Sequence, residues 1–509
     1  MNWREKLGIF LILFVLILLT ACNPASNLPP LHPPDFTAEM PTAPPATDAE
    51  DVEAPITPQF GGHLNIAMPM PQTLNPLLNS DPALAQVLRL IFEPIVIFDD
   101  ENLPMPNPAI IESIVFAPSG QSLTIALRDG IFWEDGTPIT SSDIAFSINV
   151  LRHNAPATAV YRPNVAHITS TNTTGDKMLH INLAAPMWQM MYLLDFPIIP
   201  AHYYTGVSTT NLTAARNMHP VGNGAFRFYE YVLANRLELM ANDNAPLGRP
   251  YIDRITAIVL RDINDADHAF SQGLIDVFVA DHSNWGRYRS LGRNLAANLS
   301  LQNLDFIAFN HNRTIFAEPL IRQAIANAPD VEAFVQAGFA RDAQGILHRQ
   351  LSPALPSVPL ALTIIANEEN VQATANAQSL YRNLVNAGVA VTLHILPAEF
   401  FAIRLAQFDF DLAVGTVTLD NPSNYDFIRS FGYSASEFGA IQFRMRSAVS
   451  YSEFAQTIAD LRQYVEENLP FIELNRRGDV LFTTSRLHGD FSTTINDIFR
   501  NIENWFLVD

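Results

Sequence analysis

The stretch Leu127–Ile148, LRDGIFWEDGTPITSSDIAFSI, decides the fold. Asp129-Gly130 and Asp135-Gly136 are turn dipeptides bracketing a short apolar strand, Ile131-Phe132-Trp133. Thr140 is placed to cap the helix that follows, and Asp143 three residues on completes a capping-box pattern. A hairpin therefore feeds a helix whose start is set by its own side chains. Upstream, Leu64, Ile66 and Met68 alternate as in a half-buried strand. Asp81 and Pro82 open a helix with Leu84, Val87, Leu88 and Ile91 on one face, closed by Pro94. Downstream, Leu360–Ala366 reads as a strand, Asn370–Gly388 as a helix ending on glycine, and Val389–Leu396 as a second strand. Strands joined through a helix indicate a parallel sheet.

The chain begins with Arg4 and Lys6, followed by an apolar run from Leu7 to Leu19. That run is shorter than the roughly 20 residues of a spanning helix and has the form of a secretory signal. Leu19-Thr20-Ala21-Cys22 resembles the bacterial lipobox, in which the cysteine is lipidated and becomes the new N-terminus. Residues 1–21 are thus expected to be a signal peptide, with Cys22 the lipidation site and the only cysteine of the chain. From Cys22 to Pro58 the sequence is rich in Pro, Ala, Thr and acids, the composition of a semi-extended spacer. A formal net charge of −21 argues against nucleic-acid partners and against flat docking on anionic lipid. One cysteine excludes an intramolecular disulfide framework and cysteine-based metal clusters.

The Leu127–Ile148 stretch resembles the signature of the family 5 extracellular solute-binding proteins, the oligopeptide-, dipeptide- and nickel-binding receptors of bacterial ABC importers. HPVGNGAFRFYEY (His219–Tyr231), RPYIDRITAIVLRDINDADHAFSQGLIDV (Arg249–Val277) and LDFIAFNHNRTIFAEPLIRQAIANAPDVEAFV (Leu304–Val335) resemble further family segments, in the family's order. The resemblance spans Phe60 to Asp509. It implies an α/β fold of the periplasmic-binding-protein type, with two lobes, an extra subdomain and a hinge of two crossing strands. Lobe one is expected over 59–310 with an inserted subdomain at about 98–218, lobe two over 311–472, and a return to lobe one over 473–509. The crossings are expected near Leu304–Asn312 and Phe471–Asp479.

Nothing in the sequence points to catalysis: no G-x-S-x-G, H-E-x-x-H or P-loop occurs, and His63, His153, His202 and His282 lack ligand-like spacing. No catalytic residue, metal or cofactor is expected. Asp409 and Asp411 flank a strand and read as structural. In peptide receptors of the family, a Trp-x-x-Asp-Tyr-x-(Asp/Glu)-Pro segment supplies an aspartate to the peptide α-ammonium. Here the corresponding stretch is FDFDLAVGTVTLDNPSNYDF (Phe408–Phe427), which places Gly415 in the tryptophan slot and Thr418 in the aspartate slot. Asp420 lies two residues on, either a displaced acid for the same pocket or part of an Asp-Asn-Pro turn. The segment before Leu360 is also shorter than in the family.

By position, the candidate ligand contacts are Met68, Thr73, Leu74 and Asn75; the turn residues Asn223 and Gly224; and Gly415, Thr416, Val417, Thr418 and Asp420. Trp188 is a candidate apolar wall and Arg404 a candidate carboxylate partner. Asp135, Gly136 and Thr140 are assigned to the fold. The expected function is an extracytoplasmic, lipid-anchored, monomeric receptor. It would capture peptide or a similar small solute by hinge closure and pass it to ABC permease subunits. The alternative is a binding lipoprotein outside transport, acting as a ligand sensor or surface interaction module.

Overall fold

The computed structural model describes residues 57–100, 102–281, 285–299, 303–326, 361–419, 425–494 and 496–508. The signal segment, Cys22 and the spacer up to Ile56 lie outside the described residues, as does Asp420.

The described chain begins with β1 (His63–Pro69) and α1 (Pro82–Leu88). Next come β2 (Ile111–Phe116), β3 (Ser122–Leu127), α2 (Ser141–Asn149), β4 (Ile168–Thr174) and β5 (Met178–Leu183). Strands β6 (Phe226–Val232), β7 (Arg236–Ala241), β8 (Arg254–Leu260), β9 (Val277–Asp281) and β10 (Arg293–Asn298) follow. After β11 (Asn303–Phe309) and α3 (Pro319–Ala326) come β12 (Ala361–Asn367), α4 (Val371–Asn386), β13 (Ala390–Leu396), α5 (Ala398–Ala406) and β14 (Leu412–Thr418). The helices α6 (Ser436–Arg446) and α7 (Tyr451–Asn468) lead to β15 (Phe471–Arg477) and β16 (Asp479–Thr484).

Four sheets carry these strands: β1-β8-β7-β6, β2-β3-β5-β4, β9-β16-β10 and β13-β12-β14-β11-β15. The expected alternation of β1 is real, with Leu64, Ile66 and Met68 all at most 1% exposed. The predicted β-α-β unit is also present: β12 and β13 pair in parallel, with α4 between them. Asn370 caps α4 by accepting from the Ala373 amide, and Gly388 leaves the helix at φ +86°, a conformation that suits glycine.

Two local expectations change. Ile131–Trp133 does not form a ladder but a single bridge, Phe132 to Pro138, flanked by bonds from the Trp133 amide to the Thr137 carbonyl and from the Ile139 amide to the Ile131 carbonyl, because the tight turn, in which the Gly136 amide donates to the Trp133 carbonyl, closes the pairing at once. The α1 helix stops at Leu88 instead of running on to Pro94. Beyond it, the Ile91 carbonyl accepts the amides of Asn223 and Gly224, a tertiary partner that replaces the next helical turn.

The five-stranded sheet positions the candidate site. β11 pairs antiparallel with both β14 and β15, so the other four strands all run in one direction. Asn303, the first residue of β11, is level with Thr418 and Arg477, the last residues of β14 and β15. The chain therefore enters this sheet before Leu304, and enters and leaves it at one edge. β10 and β16, the strands just outside that edge, pair with each other in the three-stranded sheet.

Candidate ligand site

The carboxyl ends of the parallel strands point toward the edge where the chain crosses between sheets. There the apolar run of β14 gives way to Thr416 and Thr418. The Thr416 hydroxyl donates to Asp305 Oδ1 at 2.6 Å, and the Thr418 hydroxyl to Asn303 Oδ1 at 2.8 Å. Asp305 is fully buried, while Thr416 and Val417 are half-buried and Thr418 is exposed. Gly415 lies opposite Phe306 in the register, and a Cβ there would sit 3.0 Å from the Phe306 ring. The Phe306 ring therefore borders Gly415, and the exposed end of β14 carries the neutral Thr418.

The loop after β1 does something different. The Thr73 hydroxyl donates to the Asn217 carbonyl, the Asn75 amide group donates to Asn217 Oδ1 at 3.0 Å, and the Leu77 amide donates back to Asn75 Oδ1. Leu74 and Met68 are fully buried. Asn75 and Asn217 form one wall of a cavity of about 290 Å³, which Phe146, Asn149, Ile199 and Tyr204 also line. Asn217, a residue with no local sequence signal, holds this loop by accepting from it and fixes its own segment by donating its side-chain amide to the Ser208 and Asn211 carbonyls.

The glycine turn packs against its own chain. A Cβ on Gly222 would lie 2.0 Å from the Ile91 carbonyl oxygen, and one on Gly224 2.6 Å from that of Leu90. Asn223 is fully buried, and its side-chain oxygen accepts from the Glu93 amide at 3.0 Å. Two half-buried acids flank this turn. Burial pushes the Glu93 carboxyl up to about 7, against a hydrogen bond from Asn107 and with added repulsion from Glu503 and Asp497. Burial likewise raises Glu134 to about 7, partly offset by Arg227, and the Glu134 amide donates to the Gly222 carbonyl.

Two further candidates lie apart from the strand ends. Arg404 pairs with Asp409 on the surface turn after α5, at 2.9 Å. Trp188 is 9% exposed and packs on Tyr451 and Phe454 of α7, with ring centroids 5.4 and 5.0 Å away. The sequence-predicted residues thus fall into four places: the strand ends, the cavity loop, the glycine turn and single contacts elsewhere. Asn303 and Asp305 were not singled out from sequence, because their partnership with Thr416 and Thr418 depends on strand register.

Several motif residues hold the frame. Asp143 accepts from both the amide and the hydroxyl of Thr140, and also from the Ala201 amide. Asp276, 3% exposed, accepts from the Asn65 amide, the Thr484 hydroxyl and two nitrogens of Arg486, tying β1, β9 and β16 together. Arg322 donates to the Phe316, Ala317 and Asn468 carbonyls.

The model of the bacterial extracellular solute-binding proteins, family 5, matches residues 105–358. The chain belongs to this family. Its members are solute receptors, not enzymes. Family 5 relatives include the oligopeptide-binding protein AppA of Bacillus subtilis, 25% identical over 290 residues, which are 55% of this chain and 52% of AppA. The chain spans about half the length of the curated relatives it matches. Among solved structures, the ABC transporter substrate-binding protein CtaP of Listeria monocytogenes superposes with a TM-score of 0.70 at 18% identity, over 89% of this chain and 100% of that one. The murein-tripeptide-binding protein MppA, in its unliganded open form, superposes at 0.73 and 15% identity, over 89% and 98%. These likenesses establish the two-lobed fold.

Proposed function

We propose that this family 5 protein is the solute-capturing receptor of an ABC importer and that it binds a peptide or similar small solute between two lobes. Lobe two is the five-stranded sheet with α3 to α7, and lobe one is the remainder, with the β2–β5 sheet as its inserted subdomain. The observation that carries this reading is the shared edge of the five-stranded sheet. Four parallel strands direct their carboxyl ends to the place where both inter-lobe crossings occur. In open α/β sheets, ligands sit outside the carboxyl ends of the strands. The polar row Asn303, Asp305, Thr416 and Thr418 lies at that edge, beside the hinge about which the lobes would close. Export through residues 1–21, a lipid anchor at Cys22 and delivery to a permease belong to the same proposal. The peptide-binding names of relatives such as AppA support the ligand class.

The test is native mass spectrometry of gently purified protein, followed by thermal shift against pooled peptides and pooled non-peptide solutes. A ligand at a hundredfold excess over Kd adds about 2.7 kcal/mol to stability. A co-purified or stabilising peptide supports the peptide receptor. Stabilisation by non-peptide solutes alone narrows the proposal to those solutes, and no response to either pool overturns it.

A further inference from the structure

The inserted subdomain touches both lobes, and the two contacts differ in kind. Toward lobe one it is bound by a buried ion pair, with Arg89 Nη2 donating to both oxygens of Asp195 at 2.7 Å. Backbone bonds add to this: the Glu134 amide to the Gly222 carbonyl, the Val160 amide to Asn79 and the Ile198 amide to Glu93. Breaking that contact would leave a buried charge unpaired, which makes it a permanent joint.

Toward lobe two the contact is apolar. The Trp188 amide donates to the Ala448 carbonyl at 2.8 Å. The Trp188 ring packs on Phe454 and Tyr451, and the Tyr192 ring lies 6.0 Å from Phe454. Alongside, Gly120 comes so close to Val449 that a Cβ on it would meet the Val449 methyl at 2.6 Å. Tyr451 is 49% exposed, so the edge of the patch is already wet. The receiving loop is braced on its own side, since Glu453 accepts from the Val449 amide and donates its own amide to Ser450. No ion pair is lost when these surfaces part, because among the described residues none spans the contact.

We propose that Trp188, Tyr192 and Gly120 form a latch with Ala448–Phe454 of α7 and the loop before it, holding the lobes together until hinge opening releases it. The latch rests on the two-lobed receptor reading and adds to it a brake on opening that acts without ligand. It is separate from both crossings, so it gives the lobes a third, non-covalent connection. Removing it shifts the ligand-free equilibrium toward open forms.

The test is pulsed electron resonance on the full ligand-free chain, with spin labels at Thr173→Cys on the subdomain and Gln378→Cys on α4, both exposed, in a Cys22→Ala background. The parent should give a dominant short distance with a minor longer population. Trp188→Ala and Tyr451→Ala should each enlarge a second, longer population by roughly twofold to tenfold, the range expected for one aromatic pair. Unchanged distributions in Tyr451→Ala overturn the latch, and that variant decides alone if Trp188→Ala loses its circular dichroism. Since no ligand is used, this outcome is independent of whether the solute assay succeeds.

Discussion

At the scale of single residues, burial and close approach dominate. The Glu93 carboxyl is raised to about 7 chiefly by desolvation, so the folded state holds its proton where the unfolded chain has released it. A raised carboxyl contributes stability that is full below about pH 4.5 and lost as pH rises through about 7. Glu93→Gln should therefore leave stability at pH 4.5 nearly unchanged and raise it by up to on the order of 3 kcal/mol above pH 7. Calorimetric melting across that pH window checks it, and an equal gain at both ends would refute the account. The glycine turn beside it makes a steric prediction. Gly222→Ala brings a methyl onto the Ile91 carbonyl, where backbone must yield, and should cost roughly 3 kcal/mol in urea unfolding. Gly415→Ala meets only the edge of the Phe306 ring, so it should cost less.

At the scale of elements, caps and registers carry the load. Asn370→Ala removes one accepting side chain from the start of α4 and should lower stability by about 1 kcal/mol. Asp143→Ala should cost more, roughly 2–3 kcal/mol, because the Ala201 amide loses its partner along with the Thr140 groups. Chemical denaturation of the two variants side by side tests the ranking. These elements were legible before folding: the capping pattern at Thr140–Asp143 and the Gly388 stop both involve residues within a few positions of each other. The Ile131–Trp133 ladder and the last turn of α1 were not legible. In α1 a tertiary partner took the place of the next helical turn, and at Ile131–Trp133 the tight turn limited the pairing to one bridge.

At the scale of the whole molecule, opposing titrations should shape its pH range. Burial lowers His311 to about 4 while its ring nitrogen bonds the Pro470 carbonyl near the end of α7. A depressed imidazole contributes stability that is full above about 6.5 and lost as pH falls toward 4. Glu93 and Glu134 act in the other direction, losing their contribution as pH rises through about 7. Melting temperature should therefore fall on both sides of a mildly acidic maximum. His311→Gln should flatten the acid limb alone, and a scan of Tm against pH with that variant separates the two effects.

The sequence by itself determined the elements whose causes are local. These are the turn dipeptides, the helix caps, the alternation of β1, the β-α-β run of α4, and the motif order that placed the chain in its family. Each depends on contacts between near neighbours, which spacing alone displays. It also identified Gly415 and Thr418 as departures from the peptide receptors' pattern. Only the tertiary structure decided what those residues face. Phe306 borders Gly415 and Asn303 bonds Thr418 because β11 pairs antiparallel with β14 in an unbroken register. Trp188 meets α7, and the glycine turn meets Leu90 and Ile91, across long separations in the chain. Such pairings are selected by the packing of whole layers, where burying the core outweighs local preference, and no stretch of sequence read alone contains them.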